Sequence, residues 1–143
     1  MFRAASSGWH PRRRADGMAR VLLIHGDLVH GEALAREVEA CGHKVGRAPT
    51  ARAAAALVDD GAFDLLVADL GSIGVEGAAD LGALVRARPC TRILIVTSER
   101  ADGRPRSRPW AVGQLVRPFT RLELCGKLDA SLPGSPLVPM QFR

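Results

Sequence analysis

The 143-residue chain contains no tyrosine, and aromatic residues make up only 4% of it. It has no apolar run near the roughly 18 residues that a membrane helix needs. The longest runs, around Val21 and Ile93, are strand-sized, so no helical membrane span is expected. The three cysteines, Cys41, Cys90 and Cys125, are odd in number and form no Cys-x-x-Cys. Neither a disulfide framework nor a zinc site is indicated, and reduced thiols in a cytoplasmic protein are the expectation. No Gly-x-Gly-x-x-Gly follows the first apolar run and no P-loop pattern occurs, which leaves dinucleotide binding and P-loop phosphate chemistry unsupported.

At 47% hydrophobic and 24% charged residues, the composition is that of a globular domain of ordinary size, long enough to bury a core. The net charge of +5 is unevenly placed. Residues 1–20 hold five arginines (Arg3, Arg12, Arg13, Arg14, Arg20) against Asp16, while the remainder carries fifteen basic and fourteen acidic groups. Residues 1–19 have no hydrophobic periodicity and are expected to form a disordered basic tail. They lack the apolar core of a secretory signal, and the disordered tail is preferred over an Arg- and Ser-rich transit peptide. Met18 offers a second start position.

From Arg20 to Leu132 the chain alternates regularly, and residues 133–143, with Pro133, Pro136 and Pro139, make a proline-rich tail. Val21–Ile24 is a first buried strand, ending at His25-Gly26-Asp27. Leu34, Val38 and Cys41 then lie at i, i+4 and i+7, and Gly42 supplies a helix stop. His43–Ala48 is a weaker strand. Thr50 caps an alanine-rich helix expected to bury Ala54, Leu57 and Val58 and to end at Gly61. The stretch from Phe63 to Asp69 is a third strand, apolar from Leu65 to Ala68, that stops on a carboxylate. A glycine-rich turn through Gly71, Gly74 and Gly77 follows, and a helix from about Gly77 to Arg88. Arg92–Val96 is the fourth strand, leading to Thr97-Ser98. Residues 99–112 contain Pro105, Pro109 and four arginines. Because proline inside a helix costs about 3 kcal/mol, the fourth helix is expected to be short or irregular. Gln114–Val116 is a fifth strand, and Thr120-x-x-Glu123 is a capping box opening a last helix with Leu124 and Leu128 inward.

Strands and helices in this alternation give an α/β fold with a doubly wound, five-stranded parallel sheet. Ligands of such sheets gather beyond the carboxyl ends of the strands. His25, Gly26, Asp27, Asp69, Gly71, Thr97 and Arg117 collect at that edge.

Taken together, the Asp64–Asp69 strand, the Glu76-Gly77 pair beyond it, the Val96-Thr97-Ser98 strand end and the Arg117-Pro118-Phe119-Thr120 turn resemble the receiver domain of bacterial two-component response regulators. The resemblance covers the chain from about Arg20 to Leu132 and implies a strand order of 2-1-3-4-5. It implies a non-enzymatic, cytoplasmic signalling protein in a phosphorelay, with a sensor histidine kinase or phosphotransfer protein upstream and a separate output protein downstream. Asp69 matches the phosphoacceptor, Thr97 and Arg117 the phosphate-contacting residues, and Gln114 the switch position. Asp69, Asp27 and the Gly71 carbonyl match the places from which magnesium is held.

Departures from the family pattern cluster around Asp69. His25-Gly26 stands where receivers carry two adjacent acids, Arg117 replaces a lysine, Gln114 an aromatic, and Ile73 the proline of the loop. Magnesium prefers hard oxygen donors, so its binding is expected to be weak or absent, and aspartates at positions 25 and 26 are expected to improve it. An alternative is a pseudo-receiver that works without phosphorylation, in which Asp69 accepts hydrogen bonds from Arg117 and Thr97. On that reading His25 is a partly exposed strand-end residue, and the contact surface includes Trp110. Two other readings rank lower. Asp27-Leu28-Val29-His30-Gly31 is one residue too long for a cobalamin loop. Nucleic acid is disfavoured as a partner by the near-neutral domain and the lack of tyrosine.

Overall fold

Five apolar runs become five parallel strands, β1 (Arg20–Ile24), β2 (Lys44–Ala48), β3 (Leu65–Asp69), β4 (Ile93–Ser98) and β5 (Gly113–Arg117). They pair in the order β2-β1-β3-β4-β5. The computed structural model describes residues 18–58, 63–98 and 108–133. The expected basic tail up to residue 17, the helix stop at Gly61, the arginine-rich stretch 99–107 and the proline-rich end from 134 lie outside these residues. Among the described residues the helices are α1 (Leu28–Ala40), α2 (Ala51–Val58), α3 (Leu70–Ala87) and α4 (Arg121–Ser131). No helix among them is long and apolar enough to cross a membrane.

Successive side chains of a strand point to opposite faces, and the central strands are apolar on both. Val21, Leu23, Leu65, Val67, Leu94 and Val96 pack with Leu34 and Val38 of α1 and Leu124 and Leu128 of α4. Leu22, Ile24, Leu66, Ala68, Ile93 and Ile95 pack on the other face, with Ala54 of α2 and Leu81 and Leu84 of α3. The sheet therefore separates two cores.

Local signals set most helix ends. The Asp27 carboxylate accepts the His30 N–H at 2.9 Å and caps α1. Gly42, at φ 98°, closes that helix. Thr50 Oγ1 accepts the Ala53 N–H at 3.0 Å, and both halves of the Thr120–Glu123 capping box are present.

Three features depart from expectation. Helix α3 starts at Leu70, directly after β3, rather than near Gly77. The Asp69 side chain accepts the Ser72 N–H and caps it, so the glycine-rich stretch is helical on both sides of a break at Gly74. Leu57 is exposed rather than buried, because it lies to one side of the Ala51–Ala54–Val58 stripe. Cys41 and Cys125, 84 residues apart, form a disulfide with a Cα–Cα distance of 5.4 Å, and Cys90 is free and exposed. Reduced thiols were the expectation from spacing alone. The pairing arises because α1 and α4 lie side by side on one face, where Glu37 and Arg121, one turn earlier on each helix, also meet at 2.8 Å.

Two glycines should respond to alanine in opposite ways. Gly74 sits at φ 74°, ψ −173°, a region essentially closed to side chains, so Gly74→Ala should cost about 1–3 kcal/mol. Gly126 lies inside α4 with open space where a Cβ would project, so Gly126→Ala should stabilise by up to about 1 kcal/mol. Urea-unfolding midpoints of the two variants, moving in opposite directions from the unmodified protein, check this.

Candidate functional site

The carboxyl ends of β1, β3, β4 and β5 bring four sequence-singled residues together. Asp69 ends β3 opposite Val96, Thr97 follows in β4, Arg117 ends β5 opposite Ser98, and His25 follows β1. Asp69 is buried, as are Thr97 and His25.

Both carboxylate oxygens of Asp69 are engaged. Oδ1 accepts the Ser72 N–H at 3.1 Å. Oδ2 lies 2.6 Å from Arg117 Nη1 and 3.5 Å from His25 Nε2. Ser72 Oγ donates to the Asp69 carbonyl at 2.9 Å and accepts the Gly26 N–H at 2.9 Å, tying the β1 and β3 ends together.

His25 is part of this site and not the partly exposed strand-end residue expected from sequence. Its Nδ1 accepts the Asp27 N–H at 3.0 Å. The imidazole proton is thereby placed on Nε2, the nitrogen that faces Asp69. Burial pushes the His25 pKa below its ordinary value; the Asp69 carboxylate pulls it upward with less effect, and Arg117 pushes it down again. The imidazole at neutral pH is an uncharged N–H dipole, and among the described residues Arg117 supplies the counter-charge to Asp69.

The other expected site residues hold different positions. Asp27 does not reach towards Asp69. Its carboxylate caps α1 and lies 3.2 Å from His30 Nδ1, and these hydrogen bonds hold its pKa below the usual value. Gly71 lies in the first turn of α3. Thr97 Oγ1 is buried with no hydrogen-bond partner among the described residues, so it does not bond Asp69 as the sequence suggested. Gln114 is half-buried in β5, and its side-chain oxygen is likewise without a partner. Trp110 is half-buried against α3, so close that a Cβ on Gly82 would lie 3.1 Å from its Nε1. It is a packing residue first.

Magnesium takes oxygen ligands in octahedral geometry, and the residues present do not fit it. Asp69 Oδ2 already faces a guanidinium and an imidazole N–H, Asp27 is committed to its helix, and Gly26 brings no donor. A Cβ at Gly26 would collide with the Ser72 carbonyl oxygen.

Sequence reasoning missed Ser72 and undervalued His25. Ser72 carried a signal, since an aspartate three residues before it is a standard helix-capping arrangement, but the surrounding glycines argued for a turn.

The strand order β2-β1-β3-β4-β5, with an aspartate at the end of the third strand, is the fold of response regulator receiver domains. TrrA, a response regulator protein from Thermotoga maritima in complex with magnesium and beryllofluoride, is 23% identical over 80% of this chain and 100% of its own, with a TM-score of 0.68. Chemotaxis protein CheY4 of Vibrio cholerae is 23% identical over 80% of this chain and 99% of its own, with a TM-score of 0.64. NtrX from Brucella abortus is 19% identical over 86% of this chain but only 28% of its own, with a TM-score of 0.67. These likenesses establish a receiver-like fold in a divergent sequence. No family model matches the chain, and no curated protein matches it.

The depressed pKa of His25 gives stability a defined pH dependence. Above its ordinary value near 6.5 the imidazole is neutral whether folded or unfolded, and this contribution is fully present. As pH falls through 6.5 towards the folded-state value, the unfolded chain takes up a proton that the folded state resists, and stability is lost. Unfolding midpoints should therefore fall between pH 7.5 and 5.5, and His25→Gln should remove most of that slope.

Position 26 responds in the opposite sense to the sequence expectation. Gly26→Asp, alone or with His25→Asp, should displace the first turn of α3 and cost about 1–3 kcal/mol. No magnesium affinity should be gained. Thermal melts with and without magnesium check both parts.

Proposed function

We propose that this domain is a receiver-fold docking module of a signalling pathway that works through protein contact, without a phosphoryl group on Asp69. The observation that carries this reading is the 2.6 Å Arg117–Asp69 ion pair. A nucleophilic carboxylate needs a free oxygen lone pair and an approach path. Here Oδ2 is held by a guanidinium beside a neutral imidazole, and Oδ1 caps a helix. The cation that balances Asp69 belongs to the chain itself, so the site is complete without metal or phosphate. The module is a binding protein and not an enzyme, and a histidine kinase or phosphotransfer protein is dispensable to it. Its effect passes through contact with a partner protein.

Exposed aliphatic side chains support a protein contact. Leu28 and Val29 at the start of α1, Val75 in α3 and Leu122 at the start of α4 are all exposed. They sit on the segments that leave the ends of β1, β3 and β5. Trp110, packed on Gly82, is a poor probe of that surface.

One observation favours the second reading, a phosphate-gated receiver. The Thr97 hydroxyl is buried and without a partner among the described residues, which suits an oxygen that could bond an arriving phosphate.

Incubation with acetyl phosphate and magnesium, followed by intact mass, should show no phosphoryl addition. In a pull-down, Asp69→Asn should keep partner binding, because the amide oxygen can still accept the Ser72 N–H. Leu122→Asp should weaken binding about tenfold, as for loss of an apolar contact of about 1.4 kcal/mol. Phosphoryl addition together with loss of binding in a folded Asp69→Asn protein overturns the proposal in favour of the phosphate-gated reading.

A further inference from the structure

Cys41 is the C-cap of α1 and Cys125 lies in the second turn of α4, with both residues half-buried at the surface. We propose that they form a reversible thiol–disulfide site that clasps the two helices. Its exchange partners are low-molecular-weight thiols and disulfides of the glutathione class. The inference does not depend on whether Asp69 is phosphorylated.

Three observations carry it. First, the helices are held together without the covalent bond. Glu37 and Arg121 pair at 2.8 Å one turn before the two sulfurs, and the pairing holds the Glu37 pKa below its usual value. Leu34, Val38, Leu124 and Leu128 share one buried core. Reduction therefore leaves two thiols facing each other across a preformed contact, with Cα atoms at a separation that a disulfide spans. Second, Cys41 and Cys125 are both only half-buried rather than sealed in the core. Third, the same chain carries Cys90 exposed and unpaired. An exposed thiol is a liability under permanently oxidising conditions, whereas one exposed thiol beside one closable pair suits conditions that cycle.

The exchange balances without other reagents. One protein thiolate attacks the disulfide of oxidised glutathione and releases one glutathione thiolate, giving a mixed disulfide. The second protein thiolate attacks the protein sulfur of that mixed disulfide, closes Cys41–Cys125 and releases the second glutathione as its thiolate. Two thiols are oxidised and one disulfide is reduced, and reduction runs the same steps backwards. The helices joined are those that leave β1 just after His25 and β5 just after Arg117. Closing the clasp ties together the two segments that grip Asp69.

The test equilibrates the full chain in graded ratios of reduced to oxidised glutathione without denaturant. Alkylation and intact mass then count thiols, and amide exchange is measured at both extremes. Two alkyl groups should appear together as the buffer becomes reducing and disappear on reoxidation, with an unchanged midpoint in Cys90→Ser. Circular dichroism should stay native throughout. Amide exchange across residues 117–125 should speed about tenfold on reduction, while β2 and α2 change little. A bond that a large excess of reduced glutathione cannot open overturns the proposal. So does loss of native circular dichroism on reduction, which makes the bond an obligatory staple. Unchanged exchange in residues 117–125, or a midpoint that moves in Cys90→Ser, overturns it as well.

Discussion

A carboxylate taken almost entirely out of water is tolerated only if charge and hydrogen bonds replace its hydration. Asp69 is 4% exposed, and Arg117 meets that need from the neighbouring edge of the sheet. The guanidinium is suited to this because its side chain is 37% exposed: it keeps part of its own hydration while it neutralises the buried oxygen. Around this pair the rest of the edge is organised. The capped start of α3 and the Nε2 side of His25 both converge on this carboxylate where Arg117 holds it.

Receiver domains bring two soluble components, a divalent cation and a phosphoryl group, to an acidic pocket. In this chain the corresponding edge of the sheet carries an imidazole and a glycine after β1, and α3 begins directly after Asp69. Fold and chemistry are separable: the sheet order, the two cores and the position of the aspartate persist while the local donor set has changed its use.

Much of the architecture was legible in the sequence. The continuous apolar runs Val21–Ile24, Leu65–Ala68 and Ile93–Val96 placed three buried strands, and the Thr120–Glu123 box and Gly42 marked helix ends through local hydrogen bonding and backbone preference. Asp69 and Arg117 were brought together by the strand order and by the resemblance to receiver domains. What escaped was set by tertiary contact. The Cys41–Cys125 pair depends on two helices meeting across 84 residues of chain. The Gly71–Gly77 stretch has turn composition but folds as helix because the aspartate before it caps it. His25 owes its burial to packing that no local pattern encodes. Leu57 shows the converse, an apolar residue at helical spacing that falls just off the buried stripe.

The sheet divides the molecule into two layers of unequal rigidity. On one side α1 and α4 are joined by an ion pair, a covalent bond and a leucine-rich core. On the other, α2 rests on alanines, and α3 is broken at Gly74. Deformation imposed from outside will therefore be unevenly shared, with the α2–α3 layer yielding first and the α1–α4 layer acting as the frame against which it moves. A domain built this way can hold one face constant while the other adapts.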